Sequence, residues 1–372
     1  MATYPKVSLA AVLKEYDQPL VLEELVVPPL EPGAVLMKVE CATVCGTDVH
    51  IQRGRLPGAQ IPLIAGHESV GTVIAMSGRD RDANDQPISA GDRIVFSYPW
   101  CGSCYWCTIA GQPTLCEATR MYGWGPMTES PHLTGTFSEL VYVRPECNIL
   151  RVPEELDPAV VASTTCALRT IMHGFERLTQ TGPVLPTDTV AIMGSGAVGL
   201  YATAVARRSG AAKVILLGAP QDRLEIGSSW GADQVVDITA TSAEERRDIV
   251  MCLTNGRGAD IVLDCAGPVA AFEEAMELTR RGGRVVEIGI GTTDPGTISP
   301  YYLNIKMISV TGSVSGAIRH YHRALGFVRS NTGTFDFGLL NTRGFALSDI
   351  NLALAGVESQ EYLKPYIEPS RR

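Results

Sequence analysis

What the 372-residue chain lacks narrows its class first. No stretch approaches the about 20 consecutive apolar residues that a membrane span needs, so no spanning segment is expected. There is no excess of basic residues: 31 Lys and Arg stand against 40 Asp and Glu, a formal net charge of −9. A chain this acidic does not carry the positive footprint of a nucleic-acid binder. The first residues, with Lys6, Lys14 and Glu15, show no signal-peptide core leading to a small-residue cleavage site. A soluble, cytoplasmic protein is expected. Charged residues are scarce (19%) beside hydrophobic ones (45%), which excludes a disordered chain. The length allows two ordinary domains, each with its own core.

What the chain does have is cysteine, ten of them. In a reducing compartment, clustered cysteines point to metal or chemistry before disulfides. Cys101, Cys104 and Cys107 are spaced by two-residue gaps, and Cys116 follows after eight more residues. Such a run brings four thiolates close enough for tetrahedral zinc, with Gly102 and Gly111 easing the turns. A chance Cys-rich loop or a redox pair is the alternative. Cys41, Cys147, Cys252 and Cys265 lie in apolar, strand-like contexts and read as buried small hydrophobes.

A second concentration of chemistry runs from Cys45 to Glu68. It reads Cys45-Gly46-Thr47-Asp48-Val49-His50 and then Gly66-His67-Glu68. A Cys and a His at this distance are more often unrelated than paired on a metal. Their neighbours alter that balance. Asp48 can take the second ring N–H of a metal-bound histidine. His67 and Glu68 follow an apolar stretch, where ionisable groups without partners would be costly. Thr47 and His50 add a hydroxyl and an imidazole beside the same site.

Residues 6 to about 100 have the pattern of short strands broken by frequent turns. A loop rich in glycine and aromatics, Met121-Tyr122-Gly123-Trp124-Gly125-Pro126-Met127, follows the cysteine cluster. It either reaches a substrate pocket or packs as surface. Residues 159–178 read as helical. From Thr189 onward the chain alternates. A short apolar strand, 189–193, enters Gly194-Ser195-Gly196-Ala197-Val198-Gly199 and then a helix, which is the context that turns G-x-G-x-x-G into a dinucleotide fingerprint. Strand–helix pairs continue to about residue 312 and predict a parallel sheet covered on both faces. One expected residue is missing. The second strand ends in Leu217-Gly218-Ala219-Pro220, without the Asp or Glu that would bind the ribose 2′-OH of NAD. Arg223 could reach a 2′-phosphate, and the choice between NAD and NADP stays open.

These motifs together resemble the medium-chain, zinc-dependent alcohol dehydrogenases over nearly the whole chain. The resemblance implies an α/β protein: a GroES-like, irregular β catalytic domain (1–167, with the lobe 101–116), a Rossmann cofactor domain (168–311), and a return of the chain to the first domain (312–372). It implies two zinc ions per chain. Catalytic zinc falls to Cys45, His67 and Cys166, although Cys166 by its own sequence context reads as a core residue. Glu68 becomes a labile fourth ligand. Structural zinc falls to Cys101, Cys104, Cys107 and Cys116, with a last gap one residue longer than the family's usual one. Thr47 would take the proton of the alcohol and His50 would pass it, through the cofactor ribose, to solvent. Thr170 would touch the nicotinamide, while Gly194 to Gly199, Gly218 and Arg223 would hold the rest of the cofactor. The expected substrate is an alcohol or its aldehyde or ketone, and the expected assembly is a homodimer or homotetramer. A relative reducing an activated C=C bond is the rival enzyme, disfavoured by the presence of both Thr47 and His50. A non-enzymatic relative is disfavoured by the complete ligand set.

Overall fold

The computed structural model describes residues 4–290 and 295–371. The chain divides into two compact units, one formed by Met1–Cys166, Gly316–Arg329 and Phe337–Arg372, the other by Ala167–Ser315 and Ser330–Asp336.

The first unit is built on two sheets. A three-stranded sheet has β1 (Val7–Leu13) between β2 (Val21–Val26) and β4 (Leu63–Ile64). A seven-stranded sheet runs β15 (Gly344–Ala346), β16 (Tyr366–Glu368), β3 (Val35–Thr43), β5 (Ser69–Met76), β6 (Arg93–Phe96), β8 (Ile149–Arg151), with β7 (Leu140–Val143) also paired to β3. β3 is the hub, and its pairing with β5 is so close that a side chain at Gly71 would come 2.2 Å from the Lys38 carbonyl. The core gathers Val35, Met37, Val39, Phe96, Tyr122, Phe137, Val141 and Ile367, all buried. At about 25 cal/mol per Å² of apolar surface removed from water, such side chains dominate the stability of the unit. The helix α1 (Gly46–Gln52) leaves the end of β3, and the single turn α2 (Tyr105–Thr108) lies in the cysteine-rich lobe.

The second unit is a doubly wound parallel sheet, ordered β11 (Gln234–Asp237), β10 (Lys213–Gly218), β9 (Thr189–Met193), β12 (Ala259–Asp264), β13 (Thr279–Glu287), β14 (Ser309–Gly312). Every residue of β9 is buried, as a strand covered on both faces requires. The strands are joined through α5 (Ala197–Arg208), α6 (Gln221–Ser229), α7 (Ala243–Leu253) and α8 (Val269–Leu278). Ser242 and Glu245 form the capping box that starts α7, each side chain meeting the other's backbone N–H at 3.2 and 2.8 Å. Cys252 departs from the expectation of burial. It lies on α7, not on a strand, and is exposed, because the helix turns Val250 inward and leaves Cys252 facing solvent.

The stretch expected to be one helix, 159–178, is three pieces: α3 (Pro158–Ser163), a π-helical turn at Thr164–Leu168, and α4 (Arg169–Thr179). Asp157 fixes the start, its carboxylate accepting the N–H groups of Ala159 and Val160 at 2.8 and 3.1 Å. The hydroxyls of Ser163, Thr164 and Thr165 then donate to the carbonyls of Val160, Val161 and Ala162 at 2.8, 2.6 and 2.7 Å. Three successive side chains compete with backbone N–H groups for those carbonyls, which loosens the ladder at this point. A widened turn follows, of the sort that gathers at functional sites. It carries Cys166.

Candidate active site

Four potential ligand atoms converge in the first unit, from Cys45, His67, Glu68 and Cys166, all within 4.8 Å of one another. Cys45 sits at the start of α1. His67 and Glu68 precede β5, and Cys166 comes from the π turn. Gly66 makes the approach possible. Its φ is +90°, and a side chain there would press on the Phe137 backbone N–H at 2.7 Å. Only glycine meets both demands.

Asp48 organises the two ligand segments together. One oxygen lies 3.1 Å from His67 Nδ1 and the other accepts the Cys45 N–H at 2.9 Å. Bound in this way, His67 turns Nε2 inward, 3.5 Å from the Cys45 sulfur. A thiolate and an imidazole on one tetrahedral zinc stand at about that separation, from bond lengths of about 2.3 and 2.0–2.1 Å. Two sulfurs, an oriented imidazole nitrogen and a carboxylate therefore fit zinc in geometry and in donor chemistry.

Sequence reasoning missed Lys364. It is buried, and its Nζ lies 2.6 and 2.5 Å from the two oxygens of Glu68. Thr43 donates a further hydrogen bond to the same carboxylate. Burial works against the lysine's charge, but Glu68 and the two nearby thiols outweigh it and hold the ammonium above the ordinary lysine range. Burial pushes Glu68 itself up to about 7, against the pull of Lys364. No local signal in the segment Tyr362-Leu363-Lys364-Pro365 reveals a partner 296 residues away.

Thr47 and His50 lie three residues apart on α1, hence on one face of the helix. His50 is half-buried, and burial, reinforced by Arg55, lowers its pKa below the usual histidine value. Its Nδ1 is buried without a hydrogen-bond partner among the described residues. Trp124, from the glycine- and aromatic-rich loop, stands edge-on to the His67 ring with centroids 5.6 Å apart.

The cysteine lobe forms a second cluster. Cys101, Cys104, Cys107 and Cys116 also bring their sulfurs within 4.8 Å. The pairs Cys101–Cys107 and Cys104–Cys116 are each separated by 4.0 Å, near the about 3.8 Å expected across a zinc tetrahedron. Gly102 and Gly111 have φ of +68° and +62°. A 3₁₀ turn at Pro113–Leu115 takes up the long last gap before Cys116.

In the second unit the glycine-rich loop links β9 to α5. Gly194 has φ +97°. A side chain on Gly199 would meet the Gly194 carbonyl at 1.8 Å, so the third glycine is what lets helix and strand pack. Gly196 has open space where its side chain would be, and it caps α5 without any side-chain hydrogen bond. The uncapped N–H groups and the clear space above them suit a pyrophosphate. Ser195 donates to the Ala219 carbonyl at 2.8 Å and fills the space beside Gly218, which a carboxylate would otherwise occupy at the end of β10. Arg223 lies in the first turn of α6, and burial lowers its pKa. Thr170 lies in the first turn of α4, half-buried.

Comparison with known proteins joins these parts. Residues 31–154 match the alcohol dehydrogenase GroES-like domain and residues 197–330 the zinc-binding dehydrogenase domain. Over 367 residues the chain is 31% identical to 5-exo-hydroxycamphor dehydrogenase of Pseudomonas putida, covering 96% of this chain and 98% of that one. The chain belongs to the zinc-dependent medium-chain alcohol dehydrogenases. Among solved structures, an alcohol dehydrogenase of Thermotoga maritima superposes with a TM-score of 0.91 at 34% identity, covering 98% of this chain and all (100%) of that one. A zinc-binding dehydrogenase of Sinorhizobium meliloti, solved with NADP, superposes at 0.83 with 27% identity, covering 98% and 100%. As a medium-chain alcohol dehydrogenase, this chain interconverts alcohols and carbonyls with a nicotinamide cofactor. No helix among the described residues is long and apolar enough to cross a membrane.

Proposed function

We propose that this dehydrogenase carries two zinc ions, a catalytic one on Cys45, His67 and Cys166 and a structural one on the four cysteines of the lobe. The observation that carries the reading is the convergence of the four ligand atoms around a histidine already oriented by Asp48. When bound there, zinc supplies the Lewis acidity that lowers the pKa of an alcohol or polarises a carbonyl. The chain's own residues do the rest. Cys45 and Cys166 add negative charge beside the substrate oxygen. Asp48 holds the imidazole tautomer. Lys364 and Thr43 hold Glu68 as a reserve ligand, with one carboxylate oxygen 3.6 Å from His67 Nε2 while it is bonded to the ammonium. Thr47 takes the alcohol proton and His50, neutral near pH 7, passes it to solvent.

The loop Gly194–Gly199 would hold the dinucleotide, which would supply the hydride-transfer chemistry when bound. Gly218 leaves no carboxylate to repel a 2′-phosphate, and Arg223 is a half-buried cation in the turn that follows, so the site admits NADP as well as NAD. The assembly is a homodimer or a homotetramer built on the free edge of β14. Val310 on that strand and Ile305 and Met307 just before it are exposed, 38%, 58% and 73%. An unpaired edge rimmed by apolar side chains invites a second copy.

The deciding experiment measures zinc per chain together with turnover. Two zinc ions, and oxidation of a secondary alcohol with NAD or NADP that fails in Thr47→Ala while both zinc ions stay bound, are expected. The name of the Pseudomonas putida relative makes alicyclic secondary alcohols the first to assay. One zinc or none in an active preparation, or a Thr47→Ala enzyme of unchanged rate, overturns the reading.

A further inference from the structure

The second unit holds a pair of acids that neither the proton path nor the ligand sets use. Asp264 ends β12 and Glu287 ends the neighbouring β13, where the parallel register sets them side by side. Asp264 is buried and Glu287 half-buried. Asp264 Oδ2 and Glu287 Oε2 are each shut off from solvent without a hydrogen-bond partner among the described residues. Two buried carboxyls side by side do not both stay ionised, and a proton held between them supplies the missing donor. Its owner follows from the other bonds. Asp264 Oδ1 accepts the N–H groups of Ala266 and Gly267 at 2.9 and 3.4 Å, which favours the charged form there. Burial and then the charge of Asp264 push Glu287 up to about 8. Burial raises Asp264 as well, while the bonds from Ala266, Glu287 and Gly267 pull it back. Glu287 is thus a neutral acid near pH 7 that donates to an Asp264 carboxylate.

Among the described residues, the other charges around the pair are engaged elsewhere. β9 and β14 contain no ionisable residue. On α8, Glu274 acts on Asp264 but is held by Arg246 of α7 at 2.6 Å. On α4, Arg169 and His173 bond to Ser315, and Arg177 to the Gly312 carbonyl. On α5, Tyr201 stacks towards Trp230, and Arg207 bonds to Gly231 and Asp233. Cys265 lies beside the pair, and burial and the two acids push its thiol up.

The proton holds a loop in place. Residues 265–267 leave β12 with the Cys265 N–H donating to the Met193 carbonyl at 2.9 Å. A side chain on Gly194 would meet Ala266 at 3.1 Å, and one on Gly289 would meet the Gly267 nitrogen at 2.3 Å. The loop is therefore wedged against the first glycine of the dinucleotide loop. It stands at the carboxyl ends of the strands, where an open parallel sheet takes its nucleotide. Resting on the reading that Gly194–Gly199 holds the dinucleotide, we propose that Asp264 and Glu287 are positioning residues for the cofactor: Glu287 donates its acid proton in a hydrogen bond to Asp264, and Asp264 in turn fixes the loop 265–267 in the shape that admits the dinucleotide. When Glu287 loses that proton, two buried charges face each other and Asp264 is driven from its N–H partners. An anionic dinucleotide then also meets an added negative charge. Both effects weaken binding. By linkage, the cofactor binds best below about pH 8 and takes up a proton on binding above it.

The test compares the unaltered, zinc-loaded chain with Glu287→Gln, which keeps a neutral donor but cannot titrate, and with Asp264→Asn, which removes the neighbouring charge. Kd for NADH and for NADPH is measured by fluorescence from about pH 6.5 to 9.5, with melting temperature followed at each pH. In the unaltered chain the affinity should be level near pH 7 and fall above about pH 8, approaching about 10-fold per pH unit. Glu287→Gln should match it at pH 7 and stay level above pH 8. Infrared spectra give a readout without cofactor. The unaltered chain should show a protonated-carboxyl band at pH 7 that fades above about pH 8 and is missing in Glu287→Gln. In Asp264→Asn the same band should fade at lower pH. An equal fall in affinity in Glu287→Gln and the unaltered chain, or no protonated-carboxyl band at pH 7, overturns the proposal. No binding of either cofactor at any pH would instead refute the dinucleotide reading, and the infrared band would still decide whether the pair holds its proton.

Discussion

The two cysteine-bearing clusters of the first unit hold similar donors by opposite means. The lobe draws all four sulfurs from sixteen consecutive positions, 101–116, and only Cys116 is buried. The other cluster draws its atoms from α1, from the turn before β5 and from a π turn about a hundred residues further on, and it leans on Lys364 from the tail. The first is a local clip: its candidate ligands come from one short segment, with Cys116 in the core and the other three at its margin. The second is assembled by a fold that stands without it, since β3, β5 and the core around Val39 and Phe137 fix its positions. Metal in the lobe should thus act on stability, and metal at the second cluster on chemistry.

The sharpest way to break that contrast is Cys104→Ser. Structural zinc contributes about 10–16 kcal/mol of apparent binding free energy in small zinc-finger peptides. Loss of one zinc ion, a lower melting temperature and aggregation of the purified chain are expected, measured by elemental analysis and thermal scans. Cys45→Ser should do the reverse, losing activity by a factor of about 10³ or more with little change in melting temperature. If both variants melt alike, the contrast is wrong.

Lys364→Met comes next. Removing one partner of a buried ion pair costs about 3–5 kcal/mol, because the other charge is stranded. Denaturant unfolding should show that loss, and Glu68→Gln in the same chain should restore part of it. An unchanged midpoint would mean that the pair is not what holds Glu68. The smallest effect belongs to His50→Gln, expected to slow alcohol oxidation by about 10²-fold or less. The direction of its pH dependence follows from burial. The pKa of His50 is lowered, so the neutral base persists to more acidic pH than an ordinary histidine would allow. The variant should therefore lose most where the unaltered enzyme still works, below neutrality, and respond to added imidazole buffer. A flat, pH-independent deficit would assign His50 a structural part.

The same contrast explains what could be read from the sequence. The lobe was legible because its ligands and turn-making glycines are neighbours in the chain. The dinucleotide loop was legible for a related reason: Gly194, Gly196 and Gly199 each answer a separate local demand of turn, clearance and packing. Cys45 and His67 were half legible, through Asp48 and the apolar setting. Cys166 was not legible by itself. Its placement depends on three hydroxyls turning back on the helix, and hydroxyl-bearing residues in a helix carry no fixed consequence in the sequence. Lys364 was invisible because ion pairs between segments distant in the chain leave no spacing to read. Cys252 misled because its apolar neighbours lie along a helix, where adjacent residues face different ways.

The bond between Lys364 and Glu68 also has a consequence in time. Glu68 leaves the ribosome 296 residues ahead of the ammonium that neutralises it. At typical rates of about 5–20 residues per second, that is an interval of roughly 15–60 s. Through that interval β3 also lacks β16, the strand that carries the tail alongside it. The earliest-made segment of the site is thus finished by the latest-made one. Glu68 has no Lys364 to meet until the tail is made, and the site cannot take its final form before synthesis is nearly over.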